Sequence, residues 1–296
     1  MSDLHSINEA INKKAGRKLF PSILVGLLLL AIVFSTMSYA PIAFAAFVTV
    51  AVLIALKELT AAFKARGITS NYLGLALSTA LILGSTWIGG LPGLTVSMVV
   101  SLIFNLLLVL RGGVEGFVSR ATASAFALLY PGFVAGFILL LARSGEGFSY
   151  IATLVIMVGC NDTFAWAFGV LLGKHPLAPK ISPKKTWEGF FGGLIFSAIG
   201  SSLAFYYLLD YHPALGALAG CAGAFTATVG DLLESGIKRD LSIKDMGTIL
   251  PGHGGMLDRL DAVLITAPLL WCVLEILKRF SWHLSPLGPR VEPHAN

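Results

Sequence analysis

Apolar residues run along this chain in long blocks separated by short polar stretches, and the blocks can be drawn as 21–38, 40–56, 71–89, 92–110, 121–142, 149–172, 189–209, 213–233 and 260–277. A spanning helix needs about 20 mostly apolar residues. The pattern therefore predicts an all-α, polytopic integral membrane protein with about nine transmembrane helices in one domain. The second block is short enough to merge with the first. Within that domain, 1–20 reads as a polar N-terminal segment, 21–142 as the N-terminal spans and 149–277 as the spans and loops that carry the chemistry. The stretch 281–296 holds three prolines and little apolar content, so it reads as a disordered tail. No internal repeat stands out, which argues modestly against transporter folds built on inverted repeats.

Composition agrees with this picture. The 296 residues are 56% hydrophobic and 12% charged, against roughly 25% charged in soluble domains. Lys13, Lys14, Arg17 and Lys18 precede the first block, but Asp3 and Glu9 accompany them. The block itself lacks a small-residue cleavage site, so the first span reads as retained. Cys160, Cys221 and Cys272 lie inside apolar stretches without metal-type spacing and read as packing residues.

Charge changes the picture more. With the N-terminus inside, Lys57, Lys64 and Arg66, then Arg111 and Arg120, then Lys174, Lys180, Lys184 and Lys185, then Lys238, Arg239, Lys244 and Arg259 join the N-terminal cations on one side. That places 17 of the 21 basic residues on one side and leaves Arg143, Lys278, Arg279 and Arg290 on the other. Such a bias predicts a cytosolic N-terminus and an odd number of spans. The pair Lys278-Arg279 fits it poorly. The same bias accounts for the net charge of +5 without any nucleic acid partner.

The densest polar stretch runs from Gly230 through Asp231, Glu234, Lys238, Arg239, Asp240, Lys244 and Asp245 to Gly252-His253-Gly254-Gly255, then Asp258, Arg259 and Asp261. Asp231, Glu234 and Lys238 line one helical face, and Asp258 and Asp261 repeat the three-residue spacing at the start of the next span. Carboxylates at helix ends near the bilayer call for a compensating cation. Magnesium, which bridges one or two carboxylates to substrate phosphates, suits them. The alternative is ion pairing with Lys238, Arg239 and Arg259. Glycines 252, 254 and 255 would let backbone N–H groups approach a phosphate, and His253 could donate a hydrogen bond to it.

A second cluster runs from Gly173 to Gly189. Ser182-Pro183 reads as a helix N-cap followed by proline at the first helical position, which would put Lys184 and Lys185 in the first turn as a phosphate site. A loop that merely obeys insertion topology is the alternative. Asn161 and Asp162 form a polar pair inside a span and would face a polar cavity or an interhelical hydrogen bond. Glu58, beside Lys57 at the end of the second span, is a weaker candidate of the same kind, with a merely interfacial acid as the alternative.

Ser235-Gly236-Ile237-Lys238-Arg239, followed by Lys244-Asp245 and His253-Gly254-Gly255-Met256-Leu257-Asp258-Arg259-Leu260-Asp261, resembles the hallmark of the phosphatidate cytidylyltransferases, also called CDP-diglyceride synthases. Ser182-Pro183-Lys184-Lys185-Thr186-Trp187-Glu188-Gly189, with Asn161-Asp162-Thr163 upstream, is similar to the same family. The resemblance covers roughly Gly159 to Asp261. It implies a nine-span helical fold, commonly homodimeric, in the cell membrane with a polar cavity open to cytosol and lipid. It implies CTP and phosphatidic acid as substrates, CDP-diacylglycerol and pyrophosphate as products, and Mg2+ as cofactor, with room for a second cation. Asp231 and Asp258 are the expected metal ligands, with Asp261 or Asp162 in support. Lys184, Lys185, Lys238, Arg239, Lys244 and Arg259 are expected on phosphates, with Ser182, Thr186, His253, Gly254 and Gly255 beside them. An ion-coupled transporter and a transferase acting on another lipid are the rival readings.

Overall fold

A computed structural model describes residues 19–247 and 254–279, with side chains from residue 26 onward. His253, the 281–296 tail and nearly all of segment 1–20 lie outside the described residues. The chain forms helices α1 (Leu19–Tyr39), α2 (Pro41–Ala65), α3 (Tyr72–Leu110), α4 (Phe117–Ala142), α5 (Gly147–Leu172), α6 (Trp187–Leu209), α7 (Pro213–Asp240) and α8 (Leu257–Arg279). Between α5 and α6 sits a two-stranded antiparallel ribbon, β1 (Pro176–Ala178) and β2 (Ser182–Thr186), which pairs Pro176 with Thr186 and Ala178 with Ser182.

Among the described residues, seven helices, α2 to α8, are long and apolar enough to cross a membrane, and the described part of α1, Gly26–Tyr39, is a shorter apolar helix. Leu77, Val96, Ile103, Leu203 and Leu218 are among many large apolar side chains pointing outward. Water would not tolerate so continuous an apolar surface. Lipid does, and the protein is an integral membrane protein.

Two helices depart from ideal geometry for local reasons. The 39 residues of α3 would extend about 57 Å if straight, yet Asn105 Nδ2 donates to Ser78 Oγ at 2.7 Å. The chain therefore doubles back, and it does so at Gly90, whose φ of 63° and ψ of −143° only glycine adopts readily. Pro92 follows at the start of the returning arm. In α4, Pro131 lies inside a π-helical turn, Leu128–Phe133. Proline lacks the N–H that would continue the α-helical ladder, and widening the turn accommodates the loss.

Contacts sort the loops into two ends. At one end, Arg66 after α2 donates through Nε to Leu241 O at 3.0 Å and through Nη2 to Asp240 O at 2.9 Å, and Arg239 donates to Ile181 O of the ribbon at 3.2 Å. At the other end, Arg143 donates to Trp87 O at 3.0 Å and Ile88 O at 3.3 Å, beside the α3 turn.

Candidate active site

The first end gathers the charges. Strand β2, the last turns of α7 and the first turn of α8 meet there, and each supplies an ionic side chain by its own local logic. Lys185 of β2 pairs through Nζ with Asp231 Oδ2 of α7. Two turns further along α7, Lys238 Nζ bridges Glu234 Oε2 at 2.6 Å and Asp258 Oδ1 of α8 at 2.7 Å. Helices α7 and α8 come this close because Gly230 has no side chain: a Cβ there would sit 2.4 Å from Asp261 O. Small residues at such crossings let transmembrane backbones approach.

Asp231 and Asp261 bring their carboxyl groups into hydrogen-bonding contact across that crossing, and Asp261 is only 8% exposed. Asp162 of α5 lies in the electrostatic field of Asp231, Lys185 and Arg259, and it accepts from Asn161 Nδ2 at 3.0 Å. The polar pair inside α5 thus faces the same recess as the helix-end carboxylates. Asp258 has a second task. Its Oδ2 accepts from Gly255 N at 2.6 Å and Met246 N at 3.1 Å, which folds the segment before α8 onto the helix start. Gly254 turns here with a φ of 77°.

Among the described residues, no three His, Cys, Asp or Glu side chains form a complete metal cage. Magnesium does not need one, because it keeps several waters and takes further oxygens from substrate phosphates. What the site offers is hard carboxylate oxygen, with an ammonium on Asp231 and another on Asp258. Each ammonium stands where a small cation would satisfy the same acid. The residues fit a divalent ion on those terms.

The basic ribbon differs from its expected form. Ser182 does not cap a helix, and Lys184 and Lys185 do not share a first helical turn, because Ser182–Thr186 is extended and paired with β1. The helix begins at Trp187, with Thr186 as its N-cap accepting from Gly189 N at 3.2 Å. Successive strand residues point to opposite faces. Lys185 therefore reaches Asp231, while Lys184 is exposed on the other side. Glu188, in the first turn of α6, ties down the ribbon's approach by accepting from Lys174 N at 3.1 Å and His175 N at 3.2 Å. Lys244 is exposed at the rim, Arg259 is half-buried beside Asp258, and Gly254 and Gly255 line the loop.

Two further residues act near this site, Glu58, which the sequence marks only weakly, and Tyr130, which it does not mark as a site residue. Glu58 of α2 is 5% exposed, and its Oε1 and Oε2 accept from Met256 N and Leu257 N, each at 3.0 Å. It therefore satisfies the open N–H groups and positive dipole end of α8 from another helix. Gly247 and Gly255 leave it room, since a Cβ at either would come within 2.5 Å of its carboxylate. Tyr130, in the π turn of α4, is 5% exposed. Its hydroxyl has no hydrogen-bond partner among the described residues, and it lies in the field of Asp261, Glu234, Asp231 and Asp258. The only sequence signal was a Tyr-Pro-Gly step inside an apolar run.

Comparison with known proteins adds a family. The sequence model of the cytidylyltransferase family matches residues 21–277. A phosphatidate cytidylyltransferase of Mycobacterium tuberculosis is 35% identical over 277 residues, covering 89% of this chain and 84% of that protein. One from Mycobacterium leprae is 35% identical over 280 residues, covering 89% and 90%. A phosphatidate cytidylyltransferase of Staphylococcus aureus is 43% identical over 150 residues, half of this chain and 57% of its own.

Proposed function

Because the chain belongs to the cytidylyltransferase family, we propose that it is a phosphatidate cytidylyltransferase, joining CTP and phosphatidic acid into CDP-diacylglycerol with release of pyrophosphate. The observation that carries the site is the convergence of Lys185, Asp231, Asp261, Lys238 and Asp258 from three separate segments at one end of a membrane bundle. Two polyanionic substrates have to meet. Ammonium and guanidinium groups on a carboxylate framework allow it, and the apolar bundle brings the lipid to the same depth.

In this reading a phosphate oxygen of phosphatidic acid forms a bond to the α-phosphorus of CTP as the bond from that phosphorus to the bridging oxygen of the β-phosphate breaks. The leaving electron pair departs with pyrophosphate. The attacking phosphate is already ionised, so no general base is required, and positioning with charge neutralisation supplies most of the catalysis. Lys185 and Lys238 hold phosphate oxygens from the centre of the site. Arg239, Arg259, Lys244 and the backbone of Gly254-Gly255 hold them from its rim, with Ser182 and Thr186 on the ribbon; Lys184 faces away from them, and Asp162 stands at the inner wall as a carboxylate beside the metal-binding acids. A bound Mg2+ would neutralise charge on the triphosphate and polarise the reacting phosphorus. Asp231 and Asp258 would hold it, with Asp261 supporting Asp231 from beside it.

Nine crossings with a cytosolic N-terminus complete the proposal. The doubling back of α3 supports the count by making two arms from one apolar stretch, and α1 supplies a further apolar helix. Grouping of Arg66, Arg239 and the ribbon at one end supports a single basic face, which the positive-inside rule assigns to the cytosol, where CTP is found. The homodimer rests on the family resemblance. A transporter would hold its charged site near the bilayer midplane, whereas this cluster sits where helices end.

The test is purified protein with CTP, Mg2+ and phosphatidic acid, following both lipid product and pyrophosphate. Equimolar CDP-diacylglycerol and pyrophosphate are expected, with none from a polyprenyl phosphate in place of phosphatidic acid. Turnover of the polyprenyl substrate instead would move the assignment to another lipid.

A further inference from the structure

The basic residues that break the one-sided charge pattern have no part in the reaction above, yet the structure brings three of them together. Arg143 ends α4, and Lys278 and Arg279 end α8. All three line one cavity of about 330 Å³ at the end of the bundle opposite the carboxylates. Their helix α8 starts at the acid cluster and runs 23 residues, about 33 Å at 1.5 Å per residue. That is close to the thickness of a bilayer's hydrocarbon core, so this cavity opens at the depth of the second interface, where lipid phosphates lie.

The lining is two-sided. Trp271 and Leu274 line it one to two turns deeper along α8, with Leu140 from α4, while the three cations stand at the helix ends. Lys278 meets Glu275 at 3.3 Å and lies 5.0 Å from the Tyr150 ring centroid, and Glu146 engages the Tyr150 hydroxyl. Arg143 spends Nε and Nη2 on two backbone carbonyls, and Arg279 has no ion-pair partner among the described residues. The acids thus have partners of their own, and guanidinium donors remain for a ligand. Apolar wall below and cations above match one molecule with an acyl chain and a phosphate.

We propose that this cavity binds the headgroup phosphate of an anionic phospholipid as a second lipid site, separate from the reaction centre. The cations there break the positive-inside pattern because they hold a lipid phosphate. Free phosphate would gain nothing from the Trp271 and Leu274 wall, so a lipid is the occupant.

Native mass spectrometry of the full-length protein in detergent, titrated with phosphatidylglycerol, tests it. Wild type should retain one tightly held phosphatidylglycerol that is lost on weakening this site: the Lys278→Gln/Arg279→Gln double variant should bind it roughly tenfold more weakly or worse, and Lys64→Gln should bind it as wild type does. Equal melting temperatures establish that the double variant is folded, and single Arg279→Gln serves if it is not. Unchanged binding in the folded variants, equally tight phosphatidylcholine, or displacement by millimolar inorganic phosphate would each overturn the proposal.

Discussion

Lys184 and Lys185 are neighbours in the chain, but the strand turns them to opposite faces, and only Lys185 reaches Asp231. Lys185→Gln should therefore lower kcat/KM by roughly ten- to more than a hundredfold, the loss of one charge-assisted contact. Lys184→Gln, removing an exposed charge, should stay within about fivefold of wild type. Equal effects would mean that the ribbon places both lysines on substrate. Tyr130 makes a different test. Its hydroxyl is buried without a partner among the described residues, so Tyr130→Phe should leave the melting temperature in detergent unchanged or higher, the relief of an orphan polar group being worth up to about 1–3 kcal/mol. Its kcat/KM should fall if this unpartnered hydroxyl, which lies in the field of the site's acids, donates to a ligand phosphate. Wild-type turnover would remove Tyr130 from the site. Glu58→Gln replaces an acceptor oxygen with an N–H facing backbone donors at Met256 and Leu257. About 1.5–3 kcal/mol of stability should go with it, read by thermal unfolding, and an unchanged melting temperature would contradict the cap.

The helices were legible because bilayer thickness fixes their length, and the break drawn between residues 89 and 92 falls at the turn that Gly90 makes. Gly90→Ala should cost about 1–3 kcal/mol in thermal unfolding, since it forces a side chain into a glycine conformation and against the Arg143 guanidinium, 2.5 Å from the Cβ position. The ribbon was not legible. Ser182-Pro183 carries the signature of a helix start, and it is overridden by a short local hairpin, Pro176 against Thr186 and Ala178 against Ser182, whose strands are too short to show an alternating pattern. Glu58 was marked only weakly, and its role could not be read: its partners lie 198 and 199 residues away in the chain, so an acid beside a lysine does not show which helix it caps. Asp231, Asp258 and Asp261 were visible from their spacing, because carboxylates at the ends of apolar helices are costly without a cation. Their pairing with particular lysines needed the fold.

At the scale of the molecule, the two ends of the bundle differ in charge and in task. Single cysteines placed at Lys64, Lys184 and Lys244 should react with impermeant reagents from the cytosolic side alone, and labelling of position 184 from outside would reverse the orientation. The central claim is that this membrane bundle transfers a cytidylyl group at its carboxylate end with a divalent ion. It is tested most directly by the yield of CDP-diacylglycerol from CTP and phosphatidic acid, measured side by side for wild type and Asp231→Asn, with and without chelator. Wild type should turn over only with Mg2+ restored, and the variant should lose most activity at an unaltered melting temperature. Full CDP-diacylglycerol formation by folded Asp231→Asn, or by wild type in excess chelator, would contradict the account.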